Sequence, residues 1–383
     1  MSGKRSIFQE VEGPGAAPAI RPGAIDRGTG GARGAIRLWL ALLFALVVAM
    51  IAVGGMTRLT DSGLSITEWR PVTGALPPMT DADWQTEFDK YRAIPEYQLQ
   101  NKGMSLEAFK VIYWWEWGHR QLGRVIGLVW AVGFLGFLAA RRIPAGWTGR
   151  LLLLGALGGT QGAIGWWMVS SGLTGDRVDV ASYRLATHLG LAFVILGLIA
   201  WYMFQLGRSA TDLMQARRGR EGKLFSMSTG LMHLAFVQIL LGALVAGIDA
   251  GRGFPTWPDM NGQFFPADAF YVPGRPAWAA FFENPGLVQF MHRMSGYALF
   301  AFGLVVWLRG RRSAHLATRR AFDWMAVMMF GQVVLGIGAV LTAAQLHVAI
   351  SHQVGAVMLW VLILRARHMA QYPLAGSIRK GTA

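Results

Sequence analysis

Eight stretches of the chain stay apolar for about 20 residues each, the length a helix needs to cross the hydrocarbon layer of a bilayer. They run near 37–57, 118–140, 150–170, 185–206, 226–248, 287–308, 322–343 and 348–365, with polar connections between them. This pattern predicts an all-α, polytopic membrane protein with eight transmembrane helices. Residues 1–35 are polar, rich in Gly and Pro, and carry no cleavable signal pattern; they are expected to form a disordered tail.

The second half of the pattern repeats the first. Run one ends in MIAVGGMTRLTDSG and run five in QILLGALVAGIDAG, which aligns Asp61 with Asp249 and Gly63 with Gly251. Runs three, five and seven share Gln-x-x-x-Gly: Gln161 with Gly165, Gln238 with Gly242, and Gln332 with Gly336. Runs two and six open on His119-Arg120 and His292-Arg293, and runs four and eight carry His188 and His352. The repeat predicts two pseudo-symmetric four-helix bundles, at 36–208 and 226–366, joined by a linker at 209–225 and followed by a tail at 367–383. An even number of helices per copy makes the copies parallel, related by an axis along the membrane normal. Glycines at these spacings let helices approach closely.

The formal net charge of +15 changes meaning once its distribution is read. Basic residues gather in alternate connections, for example Arg141, Arg142 and Arg150, then Arg217, Arg218 and Arg220, then Arg311, Arg312, Arg319 and Arg320. The positive-inside rule then places both termini in the cytoplasm and the long loops at 58–113 and 249–286 outside. The charge is a signal of orientation and of contact with membrane lipid, and no nucleic acid is expected. The chain has no cysteine, which excludes disulfides, thiolate ligands and covalent haem attachment.

An ionisable side chain inside lipid is expensive, so it normally faces a bundle interior and has a task there. His119, His188, His292 and His352 each lie near the start of a run, and those four runs all travel from outside to inside. They therefore share one depth near the outer surface. A lone histidine of this kind is more often a hydrogen-bonded packing residue. Four at matched positions in two copies point instead to two pairs of axial ligands for two haems.

Glu116 precedes His119 by one helical turn and shares its face, whereas the second copy has Gln289 at that place. A carboxylate beside one site only could accept a proton, hold water or stabilise a developing positive charge. The plainer alternative is a residue facing headgroups. Arg120, Arg124 and Arg293 are candidates to bind haem propionates, with interfacial snorkelling as the alternative. His233, His315, His347 and His368 have no counterparts in the repeat and are not expected to be ligands, although His347 is close enough to His352 to support it. The two long outer loops are rich in Pro, Trp and Phe and are expected to be lids. For Trp69 and Trp257 an interfacial aromatic belt is an equal alternative.

The segments GGMTRLTDSGLSITEWRPVTGALPP, EWGHRQLGR, QGAIGWWMVSSGL, THLG, FPTWPDMNG, HRMSG and SHQVGA together resemble the haem A synthase family, over about residues 35 to 365. The cysteine-free chain and long first outer loop are similar to its proteobacterial and mitochondrial branch. The resemblance implies an enzyme of the bacterial inner membrane that oxidises the C8 methyl group of haem O to a formyl group, giving haem A for terminal oxidases. It also implies a resident haem b between His292 and His352, with Arg293 beside it. Substrate haem O would lie between His119 and His188, near Arg120 and Arg124, with Glu116 as the catalytic acidic residue. A haem O synthase and an oxidase assembly factor are logical neighbours, and a homo-oligomer is compatible with the sequence. The main rival is a di-haem b-type electron-transfer protein, which would need the four histidines but no asymmetric carboxylate. A transporter built on parallel repeats fits less well, because the histidines lie near one surface and the helices lack central prolines.

Overall fold

The computed structural model describes residues 30–175 and 177–374. Eight long helices organise it: α1 (Gly30–Leu59), α2 (Leu106–Ala139), α3 (Thr148–Val169), α4 (Ser182–Leu206), α5 (Gly222–Gly247), α6 (Pro285–Gly310), α7 (Leu316–Leu341) and α8 (Leu346–Gln371). No strand occurs among the described residues. Six of the eight are long and apolar enough to cross a membrane by length and composition, the exceptions being α3 and α6. Those two have 22 and 26 residues, long enough to span. Their hydropathy is diluted by a run of glycines and Gln161 in α3, and by Gln289, His292 and Arg293 in α6. The chain is a multi-pass membrane protein, and large apolar side chains such as Leu128, Val132, Leu135, Val305, Trp324, Val327 and Val334 point outward, as lipid requires.

Several element edges differ from the sequence reading. Helix α1 starts at Gly30, inside the segment expected to be disordered; Ile36 and Leu40 are fully buried and the Arg33 guanidinium donates to the Gln205 carbonyl at 3.0 Å. Helix α2 starts at Leu106 rather than near 118, because its first turns pack Phe109 and Tyr113 into the first outer segment and Ser105 caps it by accepting from Ala108 N. His119 is consequently several turns inside its helix. The linker at 209–225 contains a helix, Ala210–Arg218, capped by Ser209. Helix α8 continues past the expected edge at 366 to Gln371. The rest of the expected tails, 1–29 and 375–383, lies outside the described residues.

The helices form two rings. In the first, α1 packs on α2 and α4, and α3 closes the ring between α2 and α4. In the second, α5 packs on α6 and α8, and α7 closes the ring between α6 and α8. The rings meet where α4 packs on α5 and α8, and α1 on α8. Phe193, Leu196 and Ile199 of α4, Leu231 of α5, and Trp360 and Ile363 of α8 form the buried junction. The Trp360 indole N–H donates to the Phe193 carbonyl at 3.1 Å, which satisfies its one polar group inside an apolar core.

The first outer loop is a small domain of its own. It holds the helices Asp81–Arg92 and Pro95–Leu99, and the first has a capping box between Thr80 and Asp83. Trp84, Phe88, Tyr91, Ile94 and Tyr97 pack there against Phe109 and Tyr113 of α2. The loop is thus built as a folded cap on the start of α2.

Close approach at the ring junction depends on Gly197, where a Cβ would lie 2.9 Å from the Trp360 indole nitrogen. Gly197→Leu should therefore lower the thermal midpoint of the detergent-solubilised protein, at a cost of about 1–3 kcal/mol from overpacking. Gly158→Ala, where a Cβ meets nothing within 4 Å, should leave it unchanged. Equal midpoints for Gly197→Leu and wild type would mean that α4 and α8 are not held at this distance.

Candidate functional site

A cavity of about 820 Å³ is lined from both rings and receives all four repeat histidines, at the upper end of the range for ligand pockets. Each imidazole rests on a glycine of the neighbouring helix. A Cβ at Gly54 of α1 would lie 3.1 Å from the His119 ring, and one at Gly165 of α3 would lie 2.9 Å from the His188 ring. In the second ring, Gly242 of α5 stands 3.1 Å from His292 and Gly336 of α7 stands 3.1 Å from His352 by the same measure. Four helices thus give up a side chain so that four rings can enter the bundle. His119 is near enough to His188, and His292 to His352, for each pair to interact electrostatically.

The glutamine of each Gln-x-x-x-Gly motif completes the seat. Its amide donates to the backbone carbonyl of the histidine it faces: Gln161 to His188 at 3.0 Å, Gln238 to His292 at 3.1 Å and Gln332 to His352 at 2.8 Å. The other amide atom, Oε1, is buried without a partner in all three, and so is Nδ1 of His352. A metal-bound imidazole donates its second ring N–H to such an acceptor. The residues therefore fit a haem: paired rings from facing helices, space cleared by glycine, a glutamine amide nitrogen 3.2 Å from Nδ1 of His188 and 3.1 Å from Nδ1 of His292, and an unpartnered Nδ1 on His352. Among the described residues no three His, Cys, Asp or Glu side chains cluster to hold a bare metal ion.

Glu116, Arg120 and Arg293 all bond to the outer loops or to one another. Glu116 is buried, and its Oε2 accepts from the Ser65 hydroxyl at 2.7 Å and Ile66 N at 2.8 Å. Its Oε1 accepts from Arg120 at 2.5 Å. Arg120 also donates to the carbonyls of Ile66 at 2.8 Å and Glu68 at 3.0 Å. In the second copy Arg293 donates to the carbonyls of Phe254 at 2.8 Å and Asp259 at 2.7 Å, with Gln289 alongside. Arg124 donates to the carbonyls of Arg70 and Pro71. These arginines hold the two outer loops over the cavity through bonds to loop carbonyls, and Nε of Arg293 is left buried without a partner. All of them, and Glu116, still line the cavity. Trp69, stacked on Trp166, and Trp257, donating to the Tyr297 hydroxyl at 2.9 Å, line it as well.

The cavity mouth carries a charge cluster that sequence reasoning missed. Arg58 lies 3.0 Å from Asp61, 3.8 Å from Asp179 and 3.0 Å from Asp249. It ties the outer end of α1 to that of α5, through two aspartates that the repeat pairs. Glu96 of the cap is 3% exposed, lines the cavity, and has one oxygen without a partner. Burial, then the nearby charges of Asp179, Glu116 and Asp61, push its carboxyl up from 4.5 to about 8. Its position could not be read from a polar loop without periodicity.

The remaining histidines stand apart from the cavity. His233 and His347 are exposed, and His315 stands at the N-cap position of α7 without a side-chain cap bond. His368 is fully buried among Trp201, Phe204 and Tyr372 near the opposite end of α8.

Comparison with known proteins agrees with this geometry. The family model described as "Cytochrome oxidase assembly protein" matches residues 37–364. The chain belongs to that family. Among similar family members, a protein named "Heme A synthase" from Cereibacter sphaeroides is 68% identical over 386 residues, covering 99% of each chain. Another of that name from Ruegeria sp. is 67% identical, covering 98% of this chain and 99% of its own. A third, from Dinoroseobacter shibae, is 66% identical and covers all of both chains.

Glu96 generates a prediction about the cap. Its folded pKa of about 8 lies above the ordinary 4.5, so its neutral form favours folding, fully below pH 4.5, and this contribution is lost as pH rises toward 8. Protection of residues 81–113 from hydrogen exchange, corrected for the intrinsic rise of exchange with pH, should fall across that window in wild type, and Glu96→Gln should flatten the dependence. An unchanged pH profile in Glu96→Gln would show that Glu96 does not control the cap.

Proposed function

We propose that this chain is a haem A synthase that oxidises the C8 methyl group of haem O to a formyl group. The observation that carries it is the pairing of four glycine-seated histidines in one cavity, with a buried carboxylate beside only one pair. The names of its relatives support the same reading. In this proposal His292 and His352 hold a resident haem b, and His119 and His188 receive the substrate haem. The resident haem supplies an electron path out of the substrate site. Both termini face the cytoplasm, and the cavity mouth with its cap faces the periplasm of a bacterial inner membrane, in accord with the basic residues at the other end.

The chain's own groups then have distinct tasks. The outer loops exclude bulk water from the cavity mouth, fastened by Arg120 and Arg293. Arg124 brings further positive charge to the rim of the N-terminal site, suited to carboxylate groups of the substrate. Glu116 places a negative charge within one helical turn of His119, where a carbon losing electrons and protons beside the porphyrin would be stabilised. The second copy shows that a glutamine at this place, Gln289, still sits with its arginine under an outer loop.

Glu116→Gln consequently tests the charge more than the fold. The variant should keep haem b and the cap, and convert haem O to haem A about 100-fold more slowly or worse, read by haem extraction and chromatography from cells that also make haem O. Wild-type conversion would reduce Glu116 to a loop anchor. His292→Ala and His352→Ala should each remove the low-spin haem b spectrum from purified protein. Retention of that spectrum in both would transfer the resident haem to the other pair. A di-haem electron-transfer protein would instead keep two equivalent haems through purification and convert none. A reporter fused to the C-terminus should report the cytoplasm, and a periplasmic signal would mean an odd number of spans.

A further inference from the structure

Three of the four histidine seats are completed by a glutamine, and the fourth is not. The position equivalent to Gln238 in the first copy, by the alignment that pairs Asp61 with Asp249, is Met50. The equivalence is spatial as well. A Cβ at Gly296, one turn after His292, would lie 3.2 Å from the Gln238 amide nitrogen. A Cβ at Gly123, one turn after His119, would lie 3.5 Å from the Met50 methyl carbon. Met50 therefore stands beside His119 where Gln238 stands beside His292, and both line the cavity.

The two side chains differ in what they can do for an imidazole. A glutamine amide has a strong donor and a strong acceptor; that of Gln238 donates to the His292 carbonyl and lies 3.1 Å from its Nδ1, where a turn of the amide presents the oxygen to the second ring N–H. A thioether is a weak acceptor on a flexible chain. Glu116 does not substitute for it, because Ser65, Ile66 and Arg120 occupy both of its oxygens. Loss of the outer partner of a metal-bound histidine typically weakens the site 10- to 100-fold.

We propose that Met50 makes His119 the yielding ligand of the N-terminal haem site, while Gln161, Gln238 and Gln332 are positioning residues that fix His188, His292 and His352. This rests on the assignment of those histidines as haem ligands. It matches the different needs of the two sites: a resident haem needs two fixed ligands, and a haem that arrives as substrate and leaves as product needs one that lets go.

The test measures haem exchange rather than turnover. Full-length protein in detergent is loaded with added haem B and mixed with excess apomyoglobin, and the transfer is followed spectroscopically. Wild type should lose haem in a fast phase, from the N-terminal site, and a slow phase. Met50→Gln should slow the fast phase about tenfold and move the electron paramagnetic resonance signature of that haem toward that of the C-terminal one. Gln238→Met should speed the slow phase by a similar factor, and Gln332→Met provides the same reading through the opposite ligand should Gln238→Met fail to fold. Unchanged phases in Met50→Gln and in the glutamine variants would overturn the proposal. Failure of the underlying ligand assignment would look different: His119→Ala would then leave the spectrum of the fast-exchanging haem as it is in wild type.

Discussion

The structure depends on one requirement, that an imidazole be brought into the middle of a helical bundle in lipid. The ring needs room, and its polar edges need partners, because no water is available to satisfy them. Room comes from a glycine on the adjacent helix at each of Gly54, Gly165, Gly242 and Gly336, which removes the side chain the ring would strike. At Gly165, Gly242 and Gly336 the glutamine one turn earlier on the same helix anchors the histidine backbone, and in the first two its amide nitrogen also reaches the ring Nδ1. Gln-x-x-x-Gly is thus a histidine seat. The close approach of helices that it demands in turn shapes both rings and their junction.

Duplication explains why the seats match, and divergence explains why the two sites need not behave alike. The second copy keeps a glutamine at every seat and a neutral Gln289 at the cavity edge. The first copy replaces one seat glutamine with Met50 and places Glu116 at the edge. Both changes fall on the side of His119. A carboxylate and a thioether thus share one face of one site, while the opposite ring keeps a glutamine at both seats and at the edge.

The outer loops are governed by the same economy. The arginine that follows His119 and the one that follows His292 each turn away from the ring and fasten the loop of their own copy by its carbonyl groups, Ile66 in one and Phe254 in the other. A guanidinium can satisfy several carbonyls at once, so a single residue closes a loop that has little secondary structure near the mouth. The first loop adds a capped helix pair with its own aromatic core. That makes the N-terminal mouth the more heavily covered of the two and brings the buried carboxyl of Glu96 to its wall.

Much of this was legible in the chain. The apolar runs anticipated the eight long helices, six of which are long and apolar enough to cross a membrane, and the repeat announced two rings with a histidine pair in each. Helix edges were misplaced where a polar or amphipathic extension packs on protein instead of lipid, as at Leu106 and Gly30, because hydropathy registers lipid contact and not burial against a cap. The sequence also showed Gln-x-x-x-Gly without its purpose: spacing along one helix says nothing about which ring on the next helix occupies the gap. The charges were the least legible. Arg120, Arg293 and Glu116 are conspicuous in sequence, but whether they meet a ligand or a loop carbonyl depends on backbone that arrives from 50 or so residues away. Arg58 joins aspartates from three separate segments. Periodicity and charge sign are local properties and can be read along the chain; the partner of a buried polar group is fixed only when distant segments close around it.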